Sequence, residues 1–314
     1  MNAELGTRAI ICTAADAGYF PLLRGLVESL AEGPFARTLP VGVLDLGLAD
    51  DQRAWLAARG ARLVEPGWDQ NFPGRDQIPP HYRAMTARPF LPRYFPGHPV
   101  ILWLDADTWV QDDAVLPWYL DAAAQGKLAI VPELDRSYWT MYKPPKLWGQ
   151  NQKAFAWSYG PKTGYRLGRN PILNVGAFAL PADAPHWALW AEAHRAALNR
   201  RRLRRTGLHQ QGFFLSEQTA LNFVVFKLRQ PHTLLPALAN WFVAKGHPKW
   251  DARRGLLVEP NAPYQPLGIV HLAGEGVKGR VWTLATLDGG TVETRAARDD
   301  VLALRGRLSA GVPA

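Results

Sequence analysis

The chain has 314 residues, 47% of them hydrophobic, and a formal net charge of +9, so it buries a large core and is neither disordered nor collagen-like. A single cysteine, Cys12, excludes a disulfide framework and points to a cytoplasmic setting, and no run approaches the ~18 uninterrupted apolar residues of a membrane span. The positive charge asks for an acidic ligand or surface, with nucleic acid disfavoured because no recognisable nucleic-acid module is present.

Residues 8–13 read as a first strand and Ala14-Ala15-Asp16-Ala17-Gly18 as a turn. Tyr19, Leu22, Leu23, Leu26, Val27 and Leu30 recur at helical spacing and predict an amphipathic helix closing near Gly33-Pro34. A second strand follows at 41–46, then a short helix capped by Asp50 or Asp51 and stopped at Gly60, then a third strand at 61–64. This alternation argues for a doubly wound, Rossmann-like half. The Gly-x-Gly-x-x-Gly fingerprint is missing after the first strand, which speaks against NAD or FAD.

A Pro- and Gly-rich loop at 66–80 leads into a basic, aromatic segment at 82–95. Then comes Pro99-Val100-Ile101-Leu102-Trp103-Leu104-Asp105-Ala106-Asp107-Thr108. Its apolar run predicts a strand buried on both faces of a largely parallel sheet. Ligands of open α/β sheets bind outside the carboxyl ends of strands, where Asp105 and Asp107 fall. One residue apart in extended chain, the two carboxylates share a face. Two hard oxygen donors suit a divalent cation that also holds phosphate oxygens.

A helix at 118–124 and a strand at 127–132 follow. Residues 135–170 interleave aromatic residues with lysines and arginines. Pro144-Pro145 and scattered glycines deny the segment a regular pattern, which predicts a long irregular loop, either an acceptor-side lid or a surface insertion. A strand at 172–180 carries Asn174 and Gly176, and Asp183-Ala184-Pro185 opens a helix to residue 198. The arginine-rich run at 200–205 reads as a solvated helix end or as a peripheral membrane contact. Ser216 caps a helix at 217–226. A last core strand at 267–272 bears His271, ahead of Gly274, Gly276, Lys278 and Arg280. Asp288-Gly289-Gly290 predicts a hairpin turn, and 299–308 a closing helix. With no repeat or linker, one domain over 1–314 is expected. It divides into a nucleotide-binding half (8–134), an acceptor-side half with the histidine loop (135–280), and a C-terminal hairpin and helix (281–314).

Two chemistries compete for the acidic motif. One is metal-dependent glycosyl transfer. The other is phosphoryl transfer with Asp105 as nucleophile, because Asp105-Ala106-Asp107-Thr108 also fits the haloacid-dehalogenase-like phosphatases. That second chemistry needs a further acidic pair, for which Asp112-Asp113 lie too close and Asp299-Asp300 open a helix.

Taken in order, Ala14-Ala15-Asp16 with Tyr19, Arg88, Asp105-x-Asp107, Asn174-Val175-Gly176, Glu217-Gln218 and His271-Leu272-Ala273-Gly274 resemble the family 8 retaining glycosyltransferases of the GT-A fold. The resemblance implies an α/β, Rossmann-like fold with a mixed, mainly parallel central sheet flanked by helices, and an aromatic/basic insertion. It implies transfer of a hexose, with retention, from a nucleotide-diphosphate sugar, most often UDP, to a hydroxyl of a carbohydrate or lipid-linked acceptor. Asp105, Asp107 and His271 would hold Mn²⁺ or Mg²⁺, the imidazole favouring Mn²⁺. Ala14, Asp16, Tyr19, Arg88, Ala106, Gly274 and Lys278 would line the donor nucleotide with the two acids. Asn174, Glu217 and Gln218 would surround the donor sugar as catalytic groups, with front-face attack favoured because a neutral amide oxygen on Gln218 is a poor nucleophile. The family commonly follows its histidine with Gly and then Lys-Pro-Trp. Here Lys278 comes one residue late and the Pro-Trp is lost. A transferase fold that only binds carbohydrate or a membrane surface stays open as a third reading.

Overall fold

The structure, a computed structural model, describes residues 9–200, 209–274 and 276–309; most of the arginine-rich run, 201–205, lies outside them. Strand β1 (Ile10–Ala15), helix α1 (Phe20–Glu32), β2 (Val41–Asp45), α2 (Asp50–Ala57) and β3 (Arg62–Val64) alternate as the periodicity predicts. The three strands are parallel neighbours. α1 buries Leu23, Leu26, Val27 and Leu30. The cap of α2 differs from expectation. Ala49 holds that position, its N–H bonded to Gln52 Oε1 at 3.0 Å, while Asp50 and Asp51 sit in the first turn, where negative charge complements the helix dipole.

The basic, aromatic segment forms two short helices, α3 (Arg83–Ala87) and α4 (Leu91–Tyr94), joined through a 3₁₀ turn at Arg88–Phe90. β4 (Val100–Leu104) follows, parallel to β1. It is buried throughout because alternate side chains enter two cores. Val100, Leu102 and Leu104 enter one; Ile101 and Trp103 enter the other. Beyond the acids come a strand the sequence did not reveal, β5 (Thr108–Val110), then α5 (Leu116–Ala124) and β6 (Leu128–Pro132).

Residues 135–170 are not the irregular loop expected. They hold α6 (Pro144–Tyr159) and α7 (Pro161–Leu167) after a 3₁₀ turn. The prolines occupy first turns, where an N–H has no intrahelical partner to lose. The glycines serve a close crossing. A Cβ on Gly164 would lie 2.6 Å from the Gln152 carbonyl oxygen, and one on Gly168 2.7 Å from Gln152 Cα.

β7 (Leu173–Pro181) runs antiparallel between β4 and β6, followed by α8 (His186–Leu198), α9 (His209–Phe226) and β8 (His232–Leu234). The sheet order is β3-β2-β1-β4-β7-β6-β8, with β7 alone reversed, so the sheet is mixed and mainly parallel. α9 starts well before the expected cap. Ser216 lies inside it, buried, its hydroxyl 3.1 Å from His194 Nε2. The chain ends through β9 (Trp241–Phe242), β10 (Lys249–Asp251), β11 (Leu256–Val258), β12 (Ile269–His271), β13 (Trp282–Ala285), β14 (Thr291–Thr294) and α10 (Arg298–Ser309). β5, β12 and β9 make a small second sheet, and the β13–β14 hairpin turns through Gly289 (φ 95°) as predicted. No helix among the described residues is long and apolar enough to cross a membrane.

Candidate active site

The carboxyl ends of β1, β4 and β6 meet at one edge of the sheet, and the reversed β7 begins there. β4 delivers Asp105 and Asp107 to this edge, and the Asp105 N–H donates to the Gly176 carbonyl at 2.7 Å. β5 then pairs with β12 in a register that sets Thr108 opposite His271. This pairing brings the imidazole to the acids, with His271 Nε2 3.3 Å from Asp107 Oδ1. Asp105, Asp107 and His271 each offer a ligand atom, all within 4.8 Å of one another. Two carboxylates and an imidazole in that space could hold a divalent cation.

The histidine is oriented from behind. Asn240, fully buried, turns Oδ1 to His271 Nδ1 at 2.9 Å and donates Nδ2 to Asn174 Oδ1 at 3.3 Å. A carbonyl oxygen only accepts, so Nδ1 is the donor to Asn240, and Nε2, facing the acids, is the ring nitrogen that would ligate a cation in the neutral imidazole. Gly176 makes the assembly possible. A Cβ there would overlap His271 Cε1 and lie 2.8 Å from Asn174 Oδ1 and 2.9 Å from Asp105 Oδ2.

Charge is compensated around the acids. Arg88 is buried, donating to Asp105 Oδ1 at 2.9 Å and Glu217 Oε2 at 3.0 Å, with its guanidinium 4.7 Å from the centre of the Trp103 ring. Trp103 Nε1 donates to the same Asp105 oxygen at 2.8 Å. Lys278 Nζ lies 2.9 Å from Asp107 Oδ2 and 5.1 Å from the Tyr19 ring centre. Burial opposes ionisation of Asp107, but His271 and Lys278 outweigh it and hold the carboxyl below the usual range. Burial likewise works against the Lys278 charge, and Asp107 outweighs it. Glu217 is 1% exposed, and burial pushes its carboxyl up to about 7 against the pull of Arg88.

Of the residues expected at the site, Asp105, Asp107, His271, Arg88, Lys278, Tyr19, Asn174, Glu217 and Gln218 are linked by contacts at this edge, though not each in the expected way. Glu217 is enclosed as an anchor for Arg88 and does not line the open side. Gln218 Oε1 accepts from Asn174 Nδ2 and Val175 N, both at 3.3 Å. Asp16 accepts from the Tyr19 N–H at 2.9 Å. Tyr19, 43% exposed, is a surface ring and not the first core residue of its helix. Ala14 lies on β1, Ala106 is buried with Ala15 and Leu23, and Gly274 turns the histidine loop at φ 115°. The acids a phosphatase would need are committed elsewhere: Asp113 accepts from the Phe35 and Ala36 N–H groups at 2.7 and 2.8 Å.

Three residues escaped the sequence reading. Glu133 accepts from Asn174 Nδ2 at 2.8 Å and pairs with Lys245. It follows a buried strand, so the rule that singled out Asp105 applied to it as well. Asn240 is a polar residue in the apolar run Ala237–Phe242, a signal that was present but unread.

No family model matches the sequence, and no curated protein matches it. Solved structures match the fold. An active-site mutant of LgtC superposes with a TM-score of 0.55 at 15% identity, covering 94% of this chain and 95% of that one. The galactosyltransferase LgtC in complex with donor and acceptor sugar analogues gives 0.54 at 16%, covering 95% and 96%. This chain has the GT-A glycosyltransferase fold. The glycosyltransferase GlyE of Streptococcus pneumoniae gives 0.51 at 15%, covering 97% of this chain and 64% of its own. Within this fold, the two acids follow the carboxyl end of β4 and the histidine closes β12 beside them.

Proposed function

We propose that the protein is a metal-dependent glycosyltransferase that moves a hexose from a UDP-sugar to a hydroxyl of a glycan or lipid-linked acceptor, with retention. The observation that carries this reading is the meeting of Asp105, Asp107 and His271 within 4.8 Å at the open edge of the GT-A sheet. This donor set suits Mn²⁺ more than Mg²⁺, since an imidazole stands beside the carboxylates. When bound, the ion supplies electrophilic neutralisation of the departing diphosphate.

The chain's own groups divide the remaining work. Lys278 brings a second positive charge to the acids, where it offsets negative charge growing on the leaving oxygen. Tyr19 offers an exposed ring to the base, and Asp16 a carboxylate to a base or ribose donor. Arg88 is spent on Asp105 and Glu217, so it positions the first acid and does not reach toward the donor. Asn174, Gln218 and Glu133 form one hydrogen-bonded group beside the acids, suited to orienting sugar hydroxyls.

Retention by a covalent intermediate needs an accessible nucleophile. Glu217 is enclosed, and Gln218 offers a neutral oxygen already engaged by two donors. These facts favour front-face attack. The acceptor oxygen bonds to the anomeric carbon as the bond from that carbon to the diphosphate oxygen breaks, and the acceptor proton passes to that same oxygen.

The test is Asp105→Asn and Asp107→Asn, each followed by transfer activity and by UDP-induced thermal stabilisation with and without Mn²⁺. Both variants are expected to fold, and to lose transfer and the Mn²⁺-dependent part of the stabilisation. Transfer retained in either variant overturns the proposal.

A further inference from the structure

Away from the acids, α6 and α7 enclose a cleft of about 260 Å³ lined by Trp148, Gly149, Gln152, Tyr165, Gly168 and Arg169. Its aromatic walls are open to solvent, Trp148 being 44% and Tyr165 67% exposed. Rings of this size held at a concave surface, each with an apolar face and a polar tip, are suited to binding. The cleft also has room, because no atom lies within 4 Å of where a Gly149 Cβ would be. The Arg169 guanidinium lies 5.8 Å from the Tyr165 ring centre.

The stretch that builds the cleft carries charge of one sign. Residues 144–170, which contain α6 and α7, include five lysines and arginines and no aspartate or glutamate, and the cleft lining itself includes Arg169. Complementarity therefore calls for an anion. Aromatic faces, a glutamine amide, glycine and a guanidinium together match a sugar ring bearing a carboxylate or phosphate. A concave seat favours a discrete ring over a flat lipid surface.

The cleft is also close to the acids along the chain. Asn174 follows Arg169 by five residues, a span of at most about 18 Å. A saccharide of several units seated between the helices would reach the open edge of the sheet.

We propose that the α6–α7 cleft binds an anionic saccharide, the portion of the acceptor remote from the reacting hydroxyl. The binding stands on the cleft alone; its description as acceptor rests on the transferase reading.

The test titrates the full chain calorimetrically with tetragalacturonate, a heparin-derived tetrasaccharide, uncharged maltotetraose and inorganic phosphate. Cosedimentation with phosphatidylserine vesicles is measured in parallel. At least one acidic tetrasaccharide is expected to bind about tenfold or more tighter than maltotetraose, as a hydrogen bond to a charged group requires. Trp148→Ala and Arg169→Gln are each expected to weaken that binding about tenfold, with Mn²⁺-dependent UDP binding unchanged. Equal binding by the variants, phosphate binding as tightly as the acidic saccharides, or vesicle binding lost in the variants without saccharide binding each overturns the proposal. If the wild-type chain binds no UDP with Mn²⁺ while the acidic saccharide still depends on Trp148 and Arg169, the transferase reading falls and the cleft assignment holds.

Discussion

Replacing Gly176 by alanine adds one methyl group at the most crowded point of the candidate site. Gly176 lies in β7 with an ordinary backbone conformation, so the effect of Gly176→Ala is steric. The new Cβ would stand 2.8 Å from Asn174 Oδ1 and 2.9 Å from Asp105 Oδ2, and closer still to His271 Cε1. Ordinary carbon contacts lie at about 3.5–4.0 Å, so each neighbour must retreat by roughly 0.6 Å or more. His271 is 2% exposed and held by Asn240 from behind, so it can yield only by turning Nε2 away from the acids. Metal ligation tolerates errors of about 0.2 Å. Overpacking of this kind costs about 1–3 kcal/mol, which a chain of this size survives. Mn²⁺ affinity is expected to fall about 10–100-fold, the loss typical of a disturbed ligand orientation. Mn²⁺ titration with UDP present, read by calorimetry, measures affinity, and urea denaturation measures stability. Affinity within twofold of the wild type would refute the reasoning, because the geometry leaves no room for the methyl group while His271 keeps its place.

Four further outcomes are expected. Asn240→Leu removes the acceptor for His271 Nδ1 and should weaken Mn²⁺ binding about 10–100-fold, whereas Asn240→Asp, which keeps an acceptor, should largely preserve it; equal losses in the two variants would count against the orienting role. Gly164→Ala forces a methyl group against the Gln152 carbonyl and should destabilise by about 1–3 kcal/mol, read as a lower urea midpoint at unchanged slope. Glu217 titrates at about 7 in the fold against 4.5 for a free side chain, so the folded state holds the extra proton. Its contribution is full below about pH 4.5 and is lost as pH rises through 7, a slope that Glu217→Gln should flatten. His194 is held neutral down to about 3 by burial and by Arg88, against 6.5 when free. Here the unfolded chain binds the proton, so stability should fall as pH drops from 6.5 toward 3, and His194→Gln should remove that dependence in denaturation curves collected across the window.

The elements legible in the sequence were those with local causes. The stripe of α1 and the apolar run of β4 identified themselves because burial imposes a period on neighbouring residues. Asp105 and Asp107 were legible because a buried strand must end where solvent and ligand begin. The helical pair at 144–167 was not, because its prolines and glycines carry opposite meanings by position. Pro144 and Pro145 break a helix interior but suit a first turn, and Gly164 and Gly168 loosen an isolated helix but admit a close neighbour. Ser216 misled for a related reason, since a hydroxyl that can cap a helix can equally sit within one against His194. His271 was reached through resemblance; its physical cause, the pairing of β5 with β12, joins segments far apart in the chain and leaves no local trace. Asn240 and Glu133 act through partners that are also non-local, though nearer along the chain.

Arg88 reaches Asp105 with one arm of its guanidinium and Glu217 with the other. A residue from the first third of the polypeptide is thereby cross-braced to a helix from the last third. A fragment ending before α9 would keep its Rossmann-like strands yet leave this guanidinium with half its counter-charge. The buried charge of the first half is therefore balanced only with a carboxylate that α9 supplies. The position of Asp105 thus depends on parts of the polypeptide far apart in sequence that close on a single arginine.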